Sequence, residues 1–311
     1  MTDWNRVERL LGHDAMSLLA RKTVGIVGVG SGGGYVALAL AMSGVQRFIL
    51  VDDDVLDPQN IVRHVADGRY IGKPKVEAVR DLILQRNPQA EVFTLQDRIE
   101  SHLHLLDQMD ILVVGVDGEG AKFSLNESCL KRHLVAVYAG VYERGEGGDV
   151  VAIYPGDGPC YACWAAELRE GYVTPAPDGS DADLDYGQRR PDGAIDAEPG
   201  LWLDVVRVAN TQANIVLNIL LEGTPAERHF PANTVLLANQ PLEIREGHIT
   251  PPFSAEWVNI PRNPKCLVCG SYHMEKAATD EISLDQLLGE PVRVDVRKTN
   301  NKLSLDGIDE Q

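Results

Sequence analysis

Hydrophobic positions in the first half of the chain alternate between short continuous runs and helix-spaced stretches. Residues 23–27, 47–51, 91–95, 110–116 and 134–138 are apolar runs of strand length. Between them, residues 34–42, 73–86 and 119–132 carry helical spacing, and Asn87-Pro88 stops the second of these. Ahead of them, residues 6–20 place Leu10, Leu11, Met16, Leu18 and Leu19 on one helical face. This strand–helix rhythm predicts an α/β protein with a doubly wound, mostly parallel sheet. The second half changes character. Residues 147–154 and 233–238 read as antiparallel strands among turn residues, and residues 201–221 as a long helix with an apolar face. Residues 171–200 are dense in Asp, Gly and Pro without periodicity and read as a mobile surface loop. The tail after Gly270 carries no motif.

Composition narrows the partners. The 311 residues are 44% hydrophobic and carry a formal net charge of −17. That balance argues against a phosphate backbone or an anionic membrane as a partner, since both require clustered Lys and Arg. The N-terminal stretch MTDWNRVERLLGHDAM lacks the features of a secretory signal, and no apolar run approaches the ~20 residues of a membrane span. A cytoplasmic location is expected, where five cysteines do not form a disulfide framework.

Gly28, Gly30 and Gly33 complete a G-x-G-x-x-G motif that follows a strand and opens a helix. Glycines there allow a tight turn and let backbone N–H groups approach a phosphate at the positive end of the helix. Asp52 lies at the tip of the next strand, where an acid can bond a ribose hydroxyl. The motif indicates a Rossmann-like nucleotide site, and NAD and ATP both satisfy it. The segment leaving the second strand then supplies Asn60, Arg63, Lys73 and Lys75. Hydride transfer needs no such cationic set, whereas a triphosphate does. Asp117 reads as the end of another strand at the same sheet edge and could hold Mg²⁺.

Two C-x-x-C pairs, Cys160/Cys163 and Cys266/Cys269, stand among turn residues. One such pair could be a redox couple. Two pairs favour a tetrahedral, structural Zn²⁺ site, which would clamp the loop region to the long C-terminal helix. Cys129 remains, within FSLNESCLKR, where a lone cysteine on a helix is most often a small buried hydrophobe.

The segments VGIVGVGSGGG, VDDDVLDPQNIVRH and GKPKVEA, followed by Asp117 and Asn126, occur in the order of the MoeB/ThiF/HesA family of ubiquitin-activating, E1-like adenylyltransferases, which the chain resembles. The resemblance implies an ATP-dependent enzyme that adenylates the C-terminal carboxylate of a ubiquitin-like or sulfur-carrier protein with a flexible tail. It implies one adenylation domain: a nucleotide-binding half (1–145), an acceptor-binding and zinc half (146–275) with a crossover loop at 171–200, and a tail (276–311). It assigns the ribose to Asp52 and the phosphates to Asn60, Arg63 and Lys75. Asp54 belongs to the same motif, and Asp117 supports Mg²⁺. Arg6, six residues before Gly12, matches an arginine sent from a partner subunit, implying a homodimer. PCYACW and NPKCLVCG resemble the family's zinc knuckles. His64, Gly118 and Lys122 depart from the family's glutamine, asparagine and arginine. The thioester cysteine of many relatives has no counterpart in 171–200, so the expected product is the acyl-adenylate. Alternative acceptors are a tRNA nucleoside carboxylate or a small peptide; from a different class, an NAD(H) oxidoreductase remains open.

Overall fold

Strand β1 (Thr23–Val27) is the middle one of the five parallel strands in an eight-stranded sheet. The structure is a computed structural model that describes residues 2–168, 200–245 and 247–270. β1 pairs in parallel with β2 (Arg47–Val51) on one side and β4 (Ile111–Val114) on the other. β3 (Glu91–Leu95) extends the first side and β5 (Ala136–Val141) the second, both in parallel. Beyond β5 the sheet turns antiparallel through β6 (Gly147–Ile153), β7 (Thr234–Ala238) and β10 (Ser254–Val258). A separate hairpin pairs β8 (Leu242–Arg245) with β9 (His248–Thr250). The mostly parallel sheet with an antiparallel extension matches the sequence expectation.

The central strands are apolar throughout because both faces of the sheet are buried. Ile26, Leu50, Val113, Val137 and Val150 enter one core. Their neighbours Val27, Val51, Val114, Tyr138 and Val151 enter the other. The first core is covered by α3 (Ser31–Ala41), α4 (Lys75–Arg86) and α7 (Trp202–Leu220). The second lies under α5 (Glu119–Arg132) and α6 (Tyr161–Leu168). β2 and β3 lead away from β1 on one side, and β4 and β5 on the other. The strand order therefore reverses between β1 and β4, and their carboxyl ends open a crevice there.

Three local expectations need correction. The single helix over 6–20 is two, α1 (Asn5–Leu11) and α2 (His13–Leu19). Gly12 separates them at φ 89°, outside the helical region, so the apolar spacing continues across a break in the backbone. The helix expected from residue 34 begins at Ser31, taking Gly32 and Gly33 into its first turn, where a Cβ on Gly33 would lie 1.9 Å from the Gly28 oxygen. The strand expected over 110–116 ends at Val114, leaving Asp117 in the loop beyond it. The crossover loop (171–200, apart from Gly200) and the tail (276–311) lie outside the described residues. No helix among the described residues is long and apolar enough to cross a membrane.

Gly28 sits at φ 84°, and a Cβ there would lie 2.6 Å from the Gly115 carbonyl. Gly28→Ala should cost about 3 kcal/mol from left-handed strain and backbone overlap. The control is Gly30→Ala, whose Cβ meets nothing within 4 Å and should leave the guanidinium unfolding midpoint unchanged.

Candidate nucleotide and metal sites

The glycine turn is held from two sides at one residue. The Val29 N–H donates to Asp52 Oδ2 at 2.7 Å, and the Asp54 N–H donates to Asp52 Oδ1 at 3.0 Å. On the other side His64 Nδ1 accepts from the Ala66 N–H at 3.0 Å, so Nε2 carries the proton and donates to the Val29 carbonyl at 2.9 Å. Burial raises the Asp52 carboxyl above its ordinary range, against the Lys75 charge and the two backbone donors. Burial also lowers the His64 pKa, so the ring is neutral in the fold. His64 thus serves as a loop anchor in the place where the family pattern has glutamine, a side chain that can likewise donate and accept.

Next to this turn lies a cleft of about 360 Å³. It is lined by Gly30 and the first turn of α3, by residues 114–117, by residues 139–142 with Arg144 and Gly145, and by α7 from Val205 to Gln212. Arg63, Asp117, Lys122 and Arg144 bring charge to it. α3 has no acidic residue in its first turn and no side-chain cap, which leaves backbone N–H groups for an anion. Asp117 is exposed in the cleft, a carboxylate oxygen of the kind Mg²⁺ takes.

The predicted residues divide into three groups. Gly30, Gly33, Arg63 and Asp117 line the cleft together. Asp52, Asp54 and Lys75 form a linked set around the glycine turn: Lys75 Nζ lies 2.5 Å from Asp54 Oδ2, with the lysine side chain only 12% exposed. The rest have other contacts. Asn60 Oδ1 accepts from the Asp57 N–H at 2.9 Å, closing a capping box. Lys73 lies over the Tyr70 ring at 5.1 Å. Arg6 is exposed on α1, which buries no residue, and it is not among the cleft-lining residues of its own chain.

Sequence reasoning missed Gln212. Its amide donates to the Val114 and Val137 carbonyls at 3.1 and 2.9 Å, tying α7 to β4 and β5 at the cleft. The available signal was one amide among Val208, Ala209, Ala213 and Val216 on the buried face of α7.

The four paired cysteines meet. Cys160 Sγ lies 3.8 Å from Cys163 and 3.7 Å from Cys266, and Cys163 lies 3.4 Å from Cys269. Zn–S bonds of ~2.3 Å in a tetrahedron separate sulfurs by about 3.8 Å, so the cluster suits zinc. It fastens α6 to the turn around residues 263–270, beside Leu130 of α5, and not to the long helix α7 as the sequence suggested. Cys129 is buried, and burial pushes its thiol up to about 12, which disfavours the thiolate a nucleophile needs.

The ThiF family model matches residues 5–248, and the chain belongs to the ThiF family. The chain is 28% identical over 182 residues to ubiquitin-like modifier-activating enzyme 5 of Caenorhabditis elegans, covering 52% of this chain and 43% of that protein. It is 29% identical over 168 residues to the SAMP-activating enzyme E1 of Haloferax volcanii, covering 53% and 61%. It is 34% identical over 135 residues to the tRNA threonylcarbamoyladenosine dehydratase of Bacillus subtilis, covering 42% and 53%. The chain therefore spans about half the length of these curated relatives. Among solved structures, E. coli MccB with ATP superposes at a TM-score of 0.61 and 20% identity, over 82% of this chain and 69% of that one. That likeness shows the fold.

Cys266→Ser should lower bound zinc, measured by mass spectrometry of the metal, from about one ion per chain to far less, and should lower the melting temperature. For His64, the unfolded ring gains a proton near its ordinary 6.5 while the folded ring resists it. Stability should hold above that pH and fall as pH drops toward the lowered folded value. Denaturant midpoints taken at about pH 7.5 and about pH 5.5 should differ less in His64→Gln than in the wild type.

Proposed function

We propose that the protein adenylates a carboxylate, using ATP and releasing pyrophosphate. The observation that carries this reading is the joining of an uncapped helix N-terminus, Arg63 and Asp117 in one cleft beside the Asp52-anchored glycine turn. An acceptor carboxylate oxygen attacks the α-phosphorus in line. The new P–O bond forms as the bond to the β-phosphate oxygen breaks, and pyrophosphate leaves with that electron pair. The carboxylate is already ionised, so no protein base is required. Catalysis then consists of orientation and charge neutralisation.

In this reading residues 1–145 form the nucleotide half and residues 146–275 the acceptor half of one domain. Asp52 keeps lone pairs for a ribose hydroxyl beyond its two backbone bonds. Asn60, Arg63 and Lys75 take the phosphates, for which Lys75 must share its ammonium with Asp54. Asp117 would hold Mg²⁺, which when bound neutralises phosphate charge. Arg6, exposed on α1, reaches the ATP site of a second copy in a homodimer.

The acceptor is the C-terminal tail of a ubiquitin-like or sulfur-carrier protein. This is supported by the relatives named for ubiquitin-like modifiers and SAMP. A tRNA nucleoside carboxylate is the second reading, favoured by the 34% identity to the Bacillus dehydratase and opposed by the −17 charge. With four cysteines clustered and Cys129 buried, no thiol of this chain is suited to a thioester, so the product is the acyl-adenylate.

Arg63→Ala and Lys75→Ala should each reduce ATP–pyrophosphate exchange by about 10²-fold. The exchange is measured against small β-grasp proteins ending in Gly-Gly. Near-normal exchange in both variants would remove these side chains from phosphate binding.

A further inference from the structure

Lys122 is the one buried lysine or arginine among the described residues, 2% exposed, and it lines the cleft with Gly30, Arg63 and Asp117. It lies one turn into α5, with Nζ 3.0 Å from Glu119 Oε1. The other Glu119 oxygen accepts from the Tyr161 hydroxyl at 2.9 Å. Tyr161 is itself fixed. Its N–H donates to Asn126 Oδ1 at 2.9 Å, and its ring stacks on Tyr138 at 4.4 Å and on Trp164 at 5.3 Å. The ammonium is therefore set in place by a rigid chain of contacts running back to the first residue of α6.

An ammonium has three donors. Glu119 takes one, and among the described residues no second acceptor is present. Stability does not account for this arrangement. A buried ion pair gains little over apolar side chains of the same volume, and unused donors add a desolvation cost. A cleft-lining, immobilised cation with spare donors is built to receive an anionic oxygen. The cleft already offers such a ligand a wall of open backbone N–H groups at the start of α3.

We propose that Lys122 contacts a phosphate of the bound nucleotide, with Glu119 and Tyr161 as positioning residues. This rests on the ATP reading above. Lys122 thereby supplies, from the α5 side, positive charge additional to Arg63 and Lys75.

The test is displacement of a fluorescent ATP analogue by ATP, AMP and adenosine, without Mg²⁺. Lys122→Met alone removes the ammonium that faces the buried Glu119 carboxylate, so the informative variant is Lys122→Met with Glu119→Gln, which removes both charges of the pair; circular dichroism checks its fold. The double variant should bind ATP and AMP about tenfold or more weakly and adenosine as the wild type does. Lys122→Arg should restore AMP binding to within about threefold of the wild type, since the positive fork can reach the same oxygen. Tyr161→Phe should weaken AMP by a smaller factor and spare adenosine, a selectivity that a merely structural role would not produce. Unchanged AMP binding in the folded double variant, or equal losses for AMP and adenosine, would overturn the proposal. A wild-type protein that binds no ATP would instead overturn the ATP reading on which the proposal stands.

Discussion

Where β1 and β4 end, three stretches of backbone meet with no side chains between them. A Cβ on Gly28 would lie 2.6 Å from the Gly115 carbonyl, one on Gly115 would lie 2.5 Å from the Gly28 oxygen, and one on Gly33 would lie 1.9 Å from that same oxygen. This approach lets α3 start directly at the sheet edge and face the loop that carries Asp117. The crevice at the strand-order reversal thereby becomes a cleft with a helix N-terminus on one wall. Asp52 and His64 then hold the turn at Val29 through its N–H and its carbonyl. Neither anchor would have a fixed target if the glycine contacts were lost.

Charge is distributed unevenly over this frame. The chain is strongly acidic as a whole, yet its one buried lysine among the described residues lines the cleft and Lys75 lies nearly buried beside the glycine turn. Each is held by a carboxylate, Glu119 or Asp54. Such pairing orients a cation and keeps it charged, at a cost in desolvation that burial of the pair does not repay in stability. The cysteine cluster contributes at a distance: it fastens α6, whose first residue, Tyr161, orients Glu119.

Features set by local chemistry were legible in the sequence. β1, β2, β3 and α5 have the bounds that their apolar runs and helical spacing predicted, because double-sided burial makes the strands continuous and α5 carries regular spacing. The glycine motif and the two cysteine pairs were readable because their spacing is the chemistry. The break at Gly12 was not, since the apolar spacing continues through it. The capping role of Asn60 and the pairing of Lys75 with Asp54 depend on side-chain geometry that a motif does not encode. The Tyr161–Glu119–Lys122 chain joins residues 42 apart in sequence, and the Gln212 bonds reach across 98 and 75 residues. Only the folded sheet brings those partners together.

The central claim is that the cleft beside the glycine turn receives the phosphates of ATP. Isothermal titration calorimetry of the full chain with Mg·ATP and, separately, with NAD⁺ and NADH tests it most directly. Saturable binding of Mg·ATP, with a dissociation constant on the order of micromolar to submillimolar and far weaker heats for both nicotinamides, is the expected result. Tight capture of a nicotinamide with no response to Mg·ATP would contradict the account.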